Sequence, residues 1–323
     1  QGRGQEEGRG RRRVMRELGS EAFFGYLQER EKVRLRKEAD LIALEEGEAP
    51  QGPPWTDDPI LREYKFTNVR RQHDRTSAWL IENFYRPNAH ASQKEILLNC
   101  AIARYFGHID FVESIGWTSP TERDLTRVKK IAKERRARKE RVFTGAYVIT
   151  NGGISAPKED VVVDHYLRPL LHELDNFQDL FDEGRWEWLA KAMMKLPGFG
   201  GTGFMTKETL LDTTYTSFWA HCNVEGEFTY PMDWWDWTPI GPGALRGGHR
   251  VRFGTPPPSS PSRAVAESVI GHLVGSQTVF PWDIDIGRLA PTDIQFGLCE
   301  FDKYERVRLG EGRPKSRYKP RDF

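Results

Sequence analysis

The sequence predicts a mainly α-helical protein with few short strands. Three observations carry this: apolar residues recurring at three- and four-residue steps, a scarcity of alternating strand patterns, and helix-start signals placed just ahead of the periodic stretches. At 323 residues the chain suits one large domain or two ordinary ones. Its 38% hydrophobic and 12% aromatic content allows a sizeable core and excludes wholesale disorder.

Residues 1–13 (QGRGQEEGRGRRR) are low-complexity and mostly basic, which fits either a solvated tail or a phosphate-seeking arm. They contain no apolar h-region, so they do not read as a secretory signal. Residues 14–46 read as a helix, with Phe23, Phe24, Leu27, Val33, Leu35, Leu41 and Leu44 set among charges. A Pro/Gly linker at 49–54 and a helix start at Thr56-Asp57-Asp58-Pro59 place the folded body from about residue 55. The expected division is therefore a charged tail and helix over 1–54 and a helical domain over 55–323. Residues 93–106 form a continuous buried-helix pattern, and 121–141 a basic helix with ten Lys/Arg against four Asp/Glu. Residues 161–181 read as one helix through Leu167, Leu170, Leu171, Leu174, Phe177 and Leu180, and 186–194 as a short one. The best strand is 146–149, and the Pro-rich stretch 255–261 is a surface loop.

Charge and cysteine usage exclude several classes. Forty-eight basic against 47 acidic residues leave a net charge of +1, which argues against a uniformly basic coat protein. No apolar run approaches the ~18 residues of a membrane helix, so the chain is expected to be soluble, without a membrane partner. Cys100, Cys222 and Cys299 are widely spaced and include no CxxC, which excludes a disulfide framework and a structural zinc and fits a reducing compartment. No metal and no cofactor are expected.

Several motifs carry chemistry. Lys195-Leu196-Pro197-Gly198-Phe199-Gly200 sits between two helical patterns. Glycines there let backbone N–H groups approach a phosphate, and the next helix supplies its positive N-terminus. The bland alternative is an ordinary helix–helix turn. Six of the ten tryptophans fall between Trp186 and Trp237, and Asp233 and Asp236 lie within that aromatic run, where desolvation raises a carboxyl pKa. A glycine-rich stretch, read as a loop ending in Arg246 with His249 and Arg250 beyond, suits a phosphate. The block 293–306 alternates acids and bases, including Glu300, Lys303 and Tyr304; its bland reading is a salt-bridged helix face. Arg127, Lys130, Arg138, Arg313, Lys315 and Arg317 are the expected positive contacts to DNA phosphates, with Gly198 and Gly200.

The LPGFG hairpin resembles the helix-hairpin-helix element of DNA-glycosylase-fold proteins. Together with YKFTNVRRQHDRTSAWLIENF, VFTGAYVITNGG, WTPIGPGALRGG and LCEFDKYERV, in colinear order over roughly 57–316, it resembles one known group. That group comprises the helical domain of 5-hydroxymethyluracil DNA kinases and the α-glutamyl/putrescinyl-thymine pyrophosphorylases of phage-type DNA hypermodification. The resemblance implies a glycosylase-like helical fold acting on a modified pyrimidine in double-stranded DNA, in the cytoplasm of an infected bacterium or in the nucleus of a eukaryotic source. Nothing in the sequence fits GxxxxGK[ST], which disfavours a stand-alone P-loop kinase, and the deaminase H-x-E…C-x-x-C pattern is absent.

These points together lead to an expected transferase that joins an amine, such as an amino acid, to a phosphate-activated 5-hydroxymethylpyrimidine. In this reading Arg246 and Arg250 neutralise the departing phosphate, Asp233 or Glu300 takes the ammonium proton, and Lys303 completes the site. Trp237 and Tyr304 hold the unstacked base with Asp236 beside it, and a DNA kinase is a further partner. The alternatives are a hydroxymethyluracil DNA kinase, a DNA glycosylase using Asp233, and a non-catalytic DNA-binding module.

Overall fold

The computed structural model describes residues 2–314 and 316–318, with side chains from residue 19 onward. Lys315, the residues beyond 318 and the side chains of the basic 1–13 segment lie outside it. In chain order the helices are α1 (Gly2–Glu45), α2 (Pro59–Glu63), α3 (Arg75–Leu80), α4 (Gln93–Phe106) and α5 (Ile109–Ile115). Then come α6 (Glu122–Ala137), α7 (Lys158–Asp160), α8 (Arg168–Glu173), α9 (Gln178–Asp182), α10 (Trp186–Met193) and α11 (Phe204–Thr213). The last three are α12 (Pro242–Phe253), α13 (Arg263–Ser276) and α14 (Pro291–Arg308). Strands β1 (Asn223–Glu225) and β2 (Phe228–Tyr230) pair antiparallel, Val224 opposite Thr229.

The chain folds as two compact units, residues 1–73 with 240–323, and residues 74–239. The structure thus divides at other points than the expected 54/55 boundary. In the first unit α1 is core: Phe23, Phe24, Tyr26 and Leu27 are buried with Leu61, Val251, Leu298 and Phe301. Glycines set how closely these helices pack. A Cβ on Gly247 would lie 2.0 Å from the Leu298 carbonyl oxygen, one on Gly243 2.2 Å from Cys299 Sγ, and one on Gly19 2.1 Å from the Val251 carbonyl oxygen. The glycine-rich stretch expected as a loop is therefore helix α12, with Pro242 in its first turn and Gly254 in a left-handed cap. Its glycines serve backbone-to-backbone approach, and none is needed there for a positive φ.

In the second unit α4 occupies the expected 93–106. Ser92 and Glu95 form a capping box and Gly107 closes the helix at φ 61°. The helix expected over 161–181 is broken. Val161–Leu167 is π-helical and α8 begins at Arg168-Pro169, just as the π turn Ile81–Tyr85 precedes Arg86-Pro87. A proline ring offers no N–H and clashes with the preceding turn, and the wider turn relieves both effects. The expected strand at 146–149 is not formed. Thr144 N–H donates to the Phe106 carbonyl at 2.7 Å and Thr150 carbonyl accepts from the Tyr166 hydroxyl at 2.9 Å, so this backbone is held as a loop on α4 and its neighbours. Val148 is left 86% exposed between buried or bonded residues.

Candidate functional site

In the second unit, residues 194–203 join α10 to α11 as a tight hairpin. Gly198 takes φ 82°, and a Cβ there would meet Tyr166 Cγ at 2.4 Å and the Tyr105 hydroxyl at 2.5 Å. Only glycine fits, and the reason is internal: the clash points into the fold. At Gly200 a Cβ would meet the Met194 carbonyl oxygen at 2.7 Å. No side chain caps the N-terminus of α11, so its first amides are left to other acceptors.

Below the hairpin α11 buries Lys207, Glu208 and Asp212. Arg104 of α4 grips Asp212 with Nε–Oδ2 at 2.6 Å and a second short bond, and donates to Ser77 Oγ at 3.0 Å. Tyr85 donates to the same carboxylate, and Lys207 lies 3.5 Å from Glu208. Burial pushes the Asp212 carboxyl up, while the Arg104 guanidinium opposes that shift. Sequence reasoning missed this network, because no local pattern pairs residues 104 and 212.

Asp233 is buried, and burial pushes its carboxyl up. Its two oxygens accept the Trp186 and Glu187 N–H groups at 2.9 and 3.0 Å, which caps α10 from outside the helix. Trp237 is half-buried, meets Trp186 edge-on at 5.9 Å, and accepts from that indole through its carbonyl; Asp236 is exposed. The positive helix α6 is largely neutralised within the unit: Lys129 pairs with Asp164, Lys133 with Asp160 and Arg136 with Glu159. Arg127 bonds the Ile115 carbonyl, and Lys130, with Glu134 at 3.8 Å, keeps a side chain 75% exposed.

In the first unit, Arg246 and Arg250 both rise from α12 onto Asp302 of α14. Their Nε atoms reach separate oxygens of that buried carboxylate at 2.7 Å each. Arg250 also bonds Glu311 and is enclosed, so it is held away from any ligand, contrary to its expected phosphate role. Arg246 keeps a half-exposed side chain, and Arg306 brings its Nε to 3.7 Å from Asp302 Oδ2. Asp302 and Arg306 were not singled out from the sequence, though the spacing 302/306 on one helix is a visible signal.

Glu300 and Lys303 pair at 2.5 Å on α14 and fasten the segment before α3. Glu300 accepts the Thr67 N–H at 3.0 Å, and Lys303 donates to the Lys65 carbonyl and lies 4.5 Å over the Phe66 ring. Tyr304 donates to Asp58 at 2.6 Å, and its ring packs on Tyr26, Phe66 and Phe301, which occupy the faces expected to hold a base. Its edge lines a cavity of about 430 Å³ with Tyr26, Asp58, Glu305 and Arg308. The four expected catalytic residues divide between the units, Asp233 in one and Arg246, Glu300 and Lys303 in the other. In the tail Arg313 is exposed, whereas Arg317 pairs with Glu63 and covers the Tyr64 ring, so it is docked on its own unit. Among the described residues no helix is long and apolar enough to cross a membrane.

Fold and sites define a mainly helical protein with open backbone at a glycine hairpin and arginines gathered on one buried carboxylate. The profile of the family described as "5-hmdU DNA kinase, helical domain" matches residues 19–313, and the chain belongs to that family. The match begins within α1, earlier than the span of the recognisable motifs. The chain is similar to the 5-hmdU DNA kinase of Bacillus phage SP10, with 28% identity over 213 residues, covering 60% of this chain and 31% of that protein. It thus spans under a third of the length of that relative. No solved structure matches.

Proposed function

We propose that this chain acts on 5-hydroxymethyluracil in DNA and presents the hydroxymethyl group for phosphorylation, as the helical part of a DNA kinase. The carrying observation is the family match across both compact units, together with the name of the phage relative. These 323 residues contain no GxxxxGK[ST], so in this reading the donor nucleotide is held by a kinase part outside them. The Gly198–Gly203 turn and the uncapped start of α11 act as a helix-hairpin-helix contact to backbone phosphate, with Lys130 and Arg313 adding positive surface. The 430 Å³ cavity beside Tyr304 is large enough for an unstacked pyrimidine.

A second reading is that the chain transfers an amine onto a base that a kinase has already phosphorylated. Nucleoside mass spectrometry separates the two. One arm supplies 5-hydroxymethyluracil duplex with ATP, Mg²⁺ and a P-loop kinase partner; the other supplies the same DNA after treatment with the SP10 kinase, plus mixed amino acids and polyamines. A chain-dependent phosphomethyl nucleoside in the first arm supports phosphorylation, and an amine adduct in the second supports transfer. Release of free base points to a glycosylase. Unaltered nucleosides in both arms overturn the proposal.

A further inference from the structure

Asp302 is 1% exposed and has two carboxylate oxygens, yet three guanidiniums converge on it. Arg250 takes Oδ1 and turns its terminal nitrogens to Glu311. Arg246 and Arg306 both approach Oδ2 through Nε, at 2.7 and 3.7 Å. Arg246 donates to the carboxylate through Nε, Arg306 Nε stands at 3.7 Å beyond hydrogen-bond reach, and among the described residues the terminal nitrogens of neither side chain make a hydrogen bond or ion pair. The two side chains are 39% and 41% exposed.

The arrangement is electrostatically incomplete. Three guanidiniums against Asp302 and Glu311 leave one positive charge, and two like charges stand side by side over a single oxygen. Guanidinium forks match the tetrahedral oxygens of a phosphoryl group in a bidentate manner. We infer that Arg246 and Arg306 form a two-pronged clamp for one phosphoryl group, oriented from beneath by Asp302. The glycine contacts of α12 on α14 set the spacing, since Gly247 lies next to Arg246 and meets Leu298 of the facing helix. The geometry alone argues for a phosphate; that it comes from DNA or from a phosphorylated base or donor nucleotide rests on the proposed function.

The test uses the full chain as wild type, R246Q, R306Q, R246Q/R306Q and, as a control in the other unit, K94Q, which removes a cation paired with Asp175. Affinities are measured for inorganic pyrophosphate, ATP and labelled 5-hydroxymethyluracil duplex across a salt series. The double variant should bind pyrophosphate about tenfold or more weakly, each single variant should show part of that loss, and K94Q should show none. If the clamp holds a DNA phosphate, duplex affinity falls too, and the salt slope drops by ~0.9 for the phosphate lost. If it holds a nucleotide, ATP binding falls while the duplex slope stays. R246K/R306K, which keeps charge but loses the forks, should recover only part of the affinity. A wild-type chain that binds none of the three probes, or a double variant that binds all three as wild type does, overturns the clamp. Failure of base modification with pyrophosphate binding still dependent on both arginines would instead sink the proposed function and leave the clamp standing.

Discussion

Replacing Gly247 by alanine should cost the first unit much of its stability, although alanine is intrinsically the better helix former. The new Cβ would sit 2.0 Å from the Leu298 carbonyl oxygen, 2.7 Å from its carbon and 3.0 Å from its Cα, against an ordinary contact that begins near 3.4 Å. All three obstacles are backbone, so no rotamer change relieves them, and α12 must retreat from α14 by more than an ångström. Overpacking of this kind costs ~1–3 kcal/mol. The same retreat stretches the 2.7 Å contacts of Arg246 and Arg250 to Asp302, which adds to the loss. Opposing it is a helix-propensity gain of ~0.5–1 kcal/mol for Gly→Ala. Gly271 on α13 supplies the control, because a Cβ there meets nothing within 4 Å; Gly271→Ala should show the gain alone. Urea unfolding followed by tryptophan fluorescence compares the two. A Gly247→Ala chain as stable as Gly271→Ala would refute the close-packed seam.

Other perturbations test the remaining parts. Arg104→Met should destabilise the second unit by ~3–5 kcal/mol by stranding buried Asp212, and Arg104→Met/Asp212→Leu should recover part of that in the same unfolding assay. Asp233→Ala should cost ~1 kcal/mol through two uncapped amides of α10, with circular dichroism still showing a folded helical chain. Burial works to raise the Asp164 carboxyl, but Lys129 and Arg168 prevail and hold it below its ordinary 3.8. Its contribution is therefore complete above that value and lost as the pH falls through the lowered one. The stability difference between wild type and Asp164→Asn should be flat near neutrality and shrink below about pH 4; a difference independent of pH down to 3 would contradict the pairing.

How much was legible follows from how local each signal is. The 93–106 helix was readable because apolar period, Ser92, Glu95 and Gly107 all act within one segment. Asp58 before Pro59 marked α2 for the same reason. The stretch 241–248 misled because glycine has two uses, conformational freedom and close approach, and only the partner helix reveals which one applies. The spacing of Gly243 and Gly247, one helical turn apart, is the sequence trace of the second use. The 161–181 pattern kept its leucine period through a proline, and the chain answered with a π turn that preserves the buried face. At the candidate sites the residue types were readable but their partners were not. Arg246 finds Asp302 across 56 positions and Arg104 finds Asp212 across 108, and pairings of that range leave no mark in a single sequence.

The first unit is assembled from two stretches, residues 1–73 and 240–323, with the whole second unit between them, and that has a consequence for synthesis on the ribosome. Residues 74–239 emerge as a contiguous block and can pack as soon as they are made. Phe23, Phe24 and Leu27 of α1 have no such option, because Val251, Leu298 and Phe301, which cover them, are translated more than 200 residues later. At ~5–20 residues per second the delay is roughly 10–55 s. For that interval an apolar helix face lacks its cover, so the nascent chain is a natural client for a chaperone. A message slowed within codons 74–239 should give more aggregated product, while the same slowing after residue 308, when all the covering helices exist, should not.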